Sequence, residues 1–109
     1  MNQGDIYLCD LDPVSGVEQG GRRPVLIVSS SEFNSRANAP IVLPITNGGG
    51  FAQRIGFAFP LPDSIATRGS VLCHQPRTLD IRSRNGRKID SLPYDVLNEV
   101  LEIMFAAYD

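Results

Sequence analysis

The chain has no tryptophan, a single histidine, two cysteines, and only one lysine among its ten basic residues. Each scarcity excludes something. One imidazole (His74) and two thiols (Cys9 and Cys73), at no metal-ligand spacing, give no metal centre to be read from the sequence. Both thiols fall in strand-like runs and read as buried and reduced, with a disulfide or metal site as the alternatives. No apolar run approaches the ~20 residues of a membrane-spanning helix. The segment Met1 to Asp5 lacks the basic and apolar regions of a signal peptide, so a cytoplasmic location without a membrane partner is expected. No Gly-Lys-Ser/Thr phosphate loop and no Gly-x-Ser-x-Gly elbow occurs, which disfavours most nucleotide-dependent and acyl-transfer enzymes.

What is present suits one domain over residues 1–109, long enough for a single core. The net charge of −2 taken alone argues against a nucleic-acid partner, but its distribution does not. All ten basic residues lie between positions 22 and 88, a segment of net +7, while the two ends together carry −9. A polyanion responds to local potential, so the middle of the chain is a candidate surface for phosphates. The alternative is that folding interleaves these charges into ordinary surface. Nine of the ten bases are arginine, whose planar fork suits phosphate and base edges.

Strand-like runs recur at Ile6–Leu11, Val25–Ser29, Ile41–Thr46, Gly56–Leu61 and Ser70–His74, with a weaker one over Thr78–Ile81. Turn-forming residues separate them, including Pro13 to Gly21, Asn47 to Gly50, and Asn85-Gly86. The Asn-Gly pair predicts a hairpin joining Leu79–Arg82 to Arg87–Ile89. Ser31–Asn38 reads as a short helical turn or irregular bridge. A helix is predicted to start near Pro93, with Asp95 in its first turn. Its apolar stripe runs through Val96, Leu97, Val100, Leu101, Ile103, Met104 and Tyr108. Strands followed by one packed helix predict a small, strongly curved antiparallel barrel with a C-terminal helix. The breadth of the stripe also suits a subunit interface.

Chemistry concentrates in three places. The loop between the first two strands carries Glu18, Gln19, Arg22 and Arg23. The third strand ends in Thr46 and Asn47, followed by three glycines that let backbone N–H groups approach an anion. His74 ends the fifth run. If Val71 and Cys73 face the core, period two leaves His74 on the open face. Such a set suits one cofactor-free reaction, in which an RNA 2′-OH attacks its own phosphorus. A base takes the proton, an acid protonates the leaving 5′-oxygen, and cations stabilise the equatorial oxygens. Imidazole is the best intrinsic acid or base here, and Arg23 the better charge stabiliser.

Several segments together resemble the MazF/PemK/Kid toxins, endoribonucleases of type II toxin–antitoxin modules, and within them the plasmid-borne PemK/Kid branch. They are Gly4-Asp-Ile-Tyr7, Leu11-Asp-Pro13, Gly16-x-Glu-Gln-x-Gly-x-Arg-Pro24, Val25-Leu-Ile-Val28, Phe33-Asn34, Pro44-x-Thr46, Gly48-Gly49, Phe51-Ala52, Gly56-Phe57, Gln75-Pro-Arg-Thr78 and Asn98-Glu-Val-Leu101. The resemblance implies an SH3-like barrel with a C-terminal helix, a homodimer, and sequence-selective cleavage of single-stranded RNA. It also implies a cognate antitoxin whose disordered acidic tail occupies the RNA groove. The family's catalytic arginine falls on Arg23 and its threonine on Thr46. Three positions depart from it. His74 replaces the strand acid, Leu72 replaces the arginine of PemK/Kid members, and Val17 replaces their histidine before Glu-Gln.

The expected roles are Arg23 as phosphorane stabiliser and candidate proton donor, Thr46 as hydrogen-bond donor, and His74 as general acid or base. Glu18 would orient or deprotonate, and Gln19 would hold the loop. The family's RNA-facing positions fall on Asn47, Ala52, Phe57, Gln75 and Arg77, with Phe57 as core and an Arg77–Asp80 ion pair as alternatives. Arg82, Arg84, Arg87 and Lys88 read as a solvated basic surface that adds affinity without selecting sequence. The competing readings are a non-enzymatic, CcdB-like gyrase binder and a degenerate RNA-binding relative.

Overall fold

The computed structural model describes residues 1–11, 21–47 and 53–108; Val17, Glu18, Gln19 and Ala52 lie outside the described residues. The strands are β1 (Asp5–Asp10), β2 (Arg22–Ile27), β3 (Ile41–Thr46), β4 (Ala58–Pro60), β5 (Ser70–Leu72), β6 (Arg77–Thr78) and β7 (Arg87–Ser91). Among the described residues, α1 (Ser31–Arg36) follows β2 and α2 (Tyr94–Ala106) follows β7. The strands form one antiparallel sheet in the order β4-β5-β3-β2-β1-β7, with β6 paired to β3. β3 is shared along its length: Ile45 and Thr46 pair with β5, while Ile41 and Val42 pair with β6. The sheet curls until its ends meet. The backbone N–H and hydroxyl of Thr67, in the β4–β5 connection, both donate to the Asp90 carboxylate on β7, at 2.9 and 2.6 Å. This is the curved barrel with a terminal helix that the strand pattern predicts.

Val25-Leu-Ile-Val28 is apolar without alternation because both of its faces are covered. Leu26 and Val28 join Ile6, Leu43, Ile45, Val71 and Cys73 in a core closed by Leu97, Val100 and Met104 of α2. Val25 and Ile27 face the other way, into a second core with Cys9, Val42, Leu79 and Ile81. Cys9 and Cys73 therefore lie in different cores, and both are free buried thiols. Burial pushes the Cys73 thiol up to about 11. Pro93 is the N-cap of α2, where its missing N–H costs no hydrogen bond. Tyr108 departs from the predicted stripe, lying beyond the helix end and exposed.

The Asn85-Gly86 hairpin does not form as expected. Leu79 and Ile81 are buried in the second core, so Leu79–Arg82 contributes apolar side chains inward and no strand. Residues 81–86 make a compact turn closed by Gly86 N–H on the Ile81 carbonyl (2.9 Å), and β7 pairs instead with β1.

Candidate functional site

Arg23 lies on β2 and Thr46 ends β3. The β2–β3 register pairs Val25 with Pro44, Leu26 with Leu43 and Ile27 with Val42. That ladder ends at Val25–Pro44, and Arg23 and Thr46 each lie two residues beyond it, at the same end of β2 and β3. Cys9 of β1 opposes Arg23, and Ser70 of β5 opposes Thr46. Arg23 is exposed, and among the described residues nothing accepts from its guanidinium. Thr46 is half-buried.

Gly69 stands at this end of β3. Its φ is +117°, and a Cβ there would stand 2.8 Å from the Thr46 carbonyl oxygen and 3.3 Å from the Asn47 side-chain oxygen. Only glycine allows β5 so close to the end of β3.

Val71 and Cys73 are wholly buried, which leaves Leu72 and His74 on the opposite face and half-exposed. The His74 ring lies 6.0 Å from that of Phe57 at an interplanar angle of 49°. Phe57 is neither core nor fully exposed; it forms a side wall to the imidazole. Nε2 of His74 meets the Gln75 side-chain nitrogen at 3.3 Å, at the surface. With that amide donating, the ring proton sits on Nδ1, which is buried without an acceptor among the described residues. The reachable nitrogen is therefore Nε2. Asn47 and Gln75 are exposed beside Thr46 and His74 respectively.

Arg77 is exposed on β6 and paired in register with Val42. The alternative Arg77–Asp80 ion pair is absent among the described residues, where Asp80 accepts instead from the Ser83 N–H at 3.2 Å. Arg84, Arg22 and Arg77 all lie near enough to Cys9 to offset part of the rise that burial imposes on its thiol. Two bases depart from the expected solvated surface. Arg84 is half-buried and bonded to backbone carbonyls, and Lys88 pairs with the buried Asp5 carboxylate at 3.3 Å. Ser70 and Gly69 were not legible as site residues, because only the β3–β5 register reveals their neighbour. Among the described residues no group of three or more His, Cys, Asp or Glu is arranged to hold a metal ion.

The family of PemK-like, MazF-like toxins of type II toxin–antitoxin systems matches residues 2–104. The chain is 47% identical over 102 residues to endoribonuclease PemK of Escherichia coli, covering 93% of this chain and 77% of that protein. It is 40% identical over 103 residues to the endoribonuclease toxin ChpB of E. coli K12, covering 93% and 88%. Among solved structures, a MazE–MazF complex from Deinococcus radiodurans superposes with a TM-score of 0.85 at 29% identity, covering 99% of this chain and 95% of that one. MazF alone from the same organism gives 0.80 at 31%, covering 99% and 96%. With a family match over residues 2–104 and 47% identity to PemK, the chain belongs to the PemK-like, MazF-like toxin family of type II toxin–antitoxin systems.

Proposed function

We propose that this chain is a sequence-selective endoribonuclease toxin, acting as a single domain over residues 1–109 in the cytoplasm on single-stranded mRNA. The observation that supports the reading is that Arg23, exposed and without an acceptor among the described residues, and Thr46 lie at the same end of the neighbouring strands β2 and β3. A gyrase-binding toxin has no use for such a phosphate site. In the reaction, the 2′-oxygen loses its proton to a base and bonds to phosphorus, and the bond from phosphorus to the 5′-oxygen breaks. The departing oxygen takes a proton, leaving a 2′,3′-cyclic phosphate and a 5′-OH. Arg23 donates to the equatorial oxygens as charge builds on them, and Thr46 donates a second hydrogen bond. His74 exchanges a proton through Nε2, with Gln75 yielding its contact, and Glu18 is its partner in acid–base work. Gln19, Asn47, Ala52, Phe57, Gln75 and Arg77 contact bases and backbone, Phe57 by stacking.

The reaction needs no cofactor. The partners are a second copy of the chain and an antitoxin whose acidic tail competes for the arginine-rich face. Exposed Tyr94 and Phe105 on α2, with Tyr108 beyond it, support self-association.

Mixed-sequence RNA incubated with the protein in EDTA tests the reading. Discrete fragments ending in 2′,3′-cyclic phosphate are expected, and Arg23→Ala should lower their rate of formation by about a hundredfold or more while the fold persists. Intact RNA, or an unaffected Arg23→Ala variant, would contradict it.

A further inference from the structure

The two adjacent arginines that open β2 are employed differently. Nothing described engages Arg23, whereas Arg22 is spent on protein acceptors. Its Nη1 donates to Asp10 Oδ1 at 3.2 Å and to the Asn85 carbonyl at 2.9 Å, and its Nη2 to the Leu8 carbonyl at 3.3 Å. The Asn85 side-chain amide donates to the other Asp10 oxygen at 3.0 Å. Arg84 adds a second clasp. Its Nη1 donates to the carbonyls of Asp10 (3.1 Å) and Leu11 (2.7 Å), and its own carbonyl accepts from Asp10 N–H at 2.9 Å. Leu11 N–H donates to the Gly21 carbonyl at 3.2 Å, so the two ends of the β1–β2 connection face each other within this knot.

The turn that supplies Arg84 and Asn85 is itself fixed. Asn85 sits at φ +56°, and a Cβ on Gly86 would overlap the buried Ile81 side chain, besides standing 2.8 Å from its carbonyl oxygen. The turn is therefore anchored in the second core through Ile81 and reaches outward to grip the ends of β1 and β2.

We infer that Arg22, Asp10, Arg84 and the 81–86 turn form a brace that positions Arg23 for RNA cleavage. Arg22 and Arg84 are positioning residues and not phosphate contacts; the inference rests on the cleavage reading above. Two arguments support it. The Asp10 carboxylate pairs with Arg22, whereas Arg23 beside it has no ion-pair partner among the described residues. And a catalytic group displaced by about 1 Å costs on the order of a hundredfold in rate, so a rigid root for the start of β2 has value in catalysis.

The test compares Arg22→Met, Asp10→Asn, their double variant, Arg84→Met and Arg84→Lys. Substrate is a short single-stranded RNA bearing one mapped cleavage site. We expect Arg22→Met and Asp10→Asn each to lower kcat about tenfold with KM within twofold. The double variant should be no worse than the weaker single, since both changes break one pair. Arg84→Lys should recover part of the kcat lost in Arg84→Met. Additive losses, or a KM that rises with a steep salt dependence, would mark phosphate contacts and overturn the inference. Independently of RNA, exchange of the Asp10 and Leu11 amide hydrogens should quicken at least tenfold in Arg84→Met, and unchanged protection would overturn the brace alone. A parent protein that leaves RNA intact would overturn the cleavage reading, and the positioning role with it.

Discussion

At the scale of single residues, identity and role separate wherever a partner lies far away in sequence. Arg22 and Arg23 are alike as letters, yet one is bound to Asp10 and Asn85 and the other has no partner among the described residues. The strand positions of Arg23 and Thr46 and the open-face position of His74 are legible in the sequence, because a motif or a strand period marks them. Arg84 was not, since its acceptors are more than seventy positions away. Two outcomes follow at this scale. The Asn85 amide, then Arg22, hold the Asp10 carboxyl below its ordinary value of 3.8. A depressed carboxyl favours the folded arrangement in full above that ordinary value and loses the benefit as pH falls through the lowered one. Asp10→Asn should therefore remove one component of acid sensitivity below pH 3.8, seen as a flatter unfolding curve against pH. Cys73, raised to about 11 and buried like Cys9, should stay unalkylated by iodoacetamide at pH 8 until denaturant is added. Rapid labelling of the native protein would contradict the two-core description.

Elements were legible in proportion to how local their cause is. The runs at Ile6, Val25 and Ile41 became β1, β2 and β3, because continuous β-branched sequence between turns has few other uses. Pro93 and the spacing of Leu97, Val100 and Met104 fixed α2 in the same way. The Asn85-Gly86 pair misled because the burial of Leu79 and Ile81 outweighs local turn preference. Glycine geometry gives a contrast that separates strain from function. Gly56 (φ +82°) has nothing within 4 Å of a Cβ position, whereas Gly69 would strike the Thr46 carbonyl. Alanine at either should cost about 1–3 kcal/mol through backbone strain. Only Gly69→Ala should also depress cleavage, by moving Thr46 and Asn47. Equal cleavage losses in the two variants, at matched stability, would detach Gly69 from the site.

For the whole molecule, folding partly interleaves the charged segments of the sequence: Arg22 pairs with Asp10 and Lys88 with Asp5, each joining the basic middle of the chain to its acidic start. Arg22, Arg77 and Arg84 lie near Cys9, while the acidic C-terminal stretch forms α2, which packs on the first core. The outward side of α2 carries Tyr94 and Phe105, which are 77% and 58% exposed, so Phe105→Glu should shift a dimer toward monomer in sedimentation while leaving thermal unfolding of the subunit nearly unchanged. At the centre stands the proposal that the Arg23 guanidinium and the Thr46 hydroxyl, at the same end of neighbouring strands, hold a single phosphodiester. A crystal structure with a single-stranded RNA carrying a 2′-deoxy nucleotide at the mapped scissile position tests it most directly. The account predicts one phosphate within about 3 Å of both the Arg23 guanidinium and the Thr46 hydroxyl. An RNA strand lying across α2, or a scissile phosphate touching neither side chain, would contradict it.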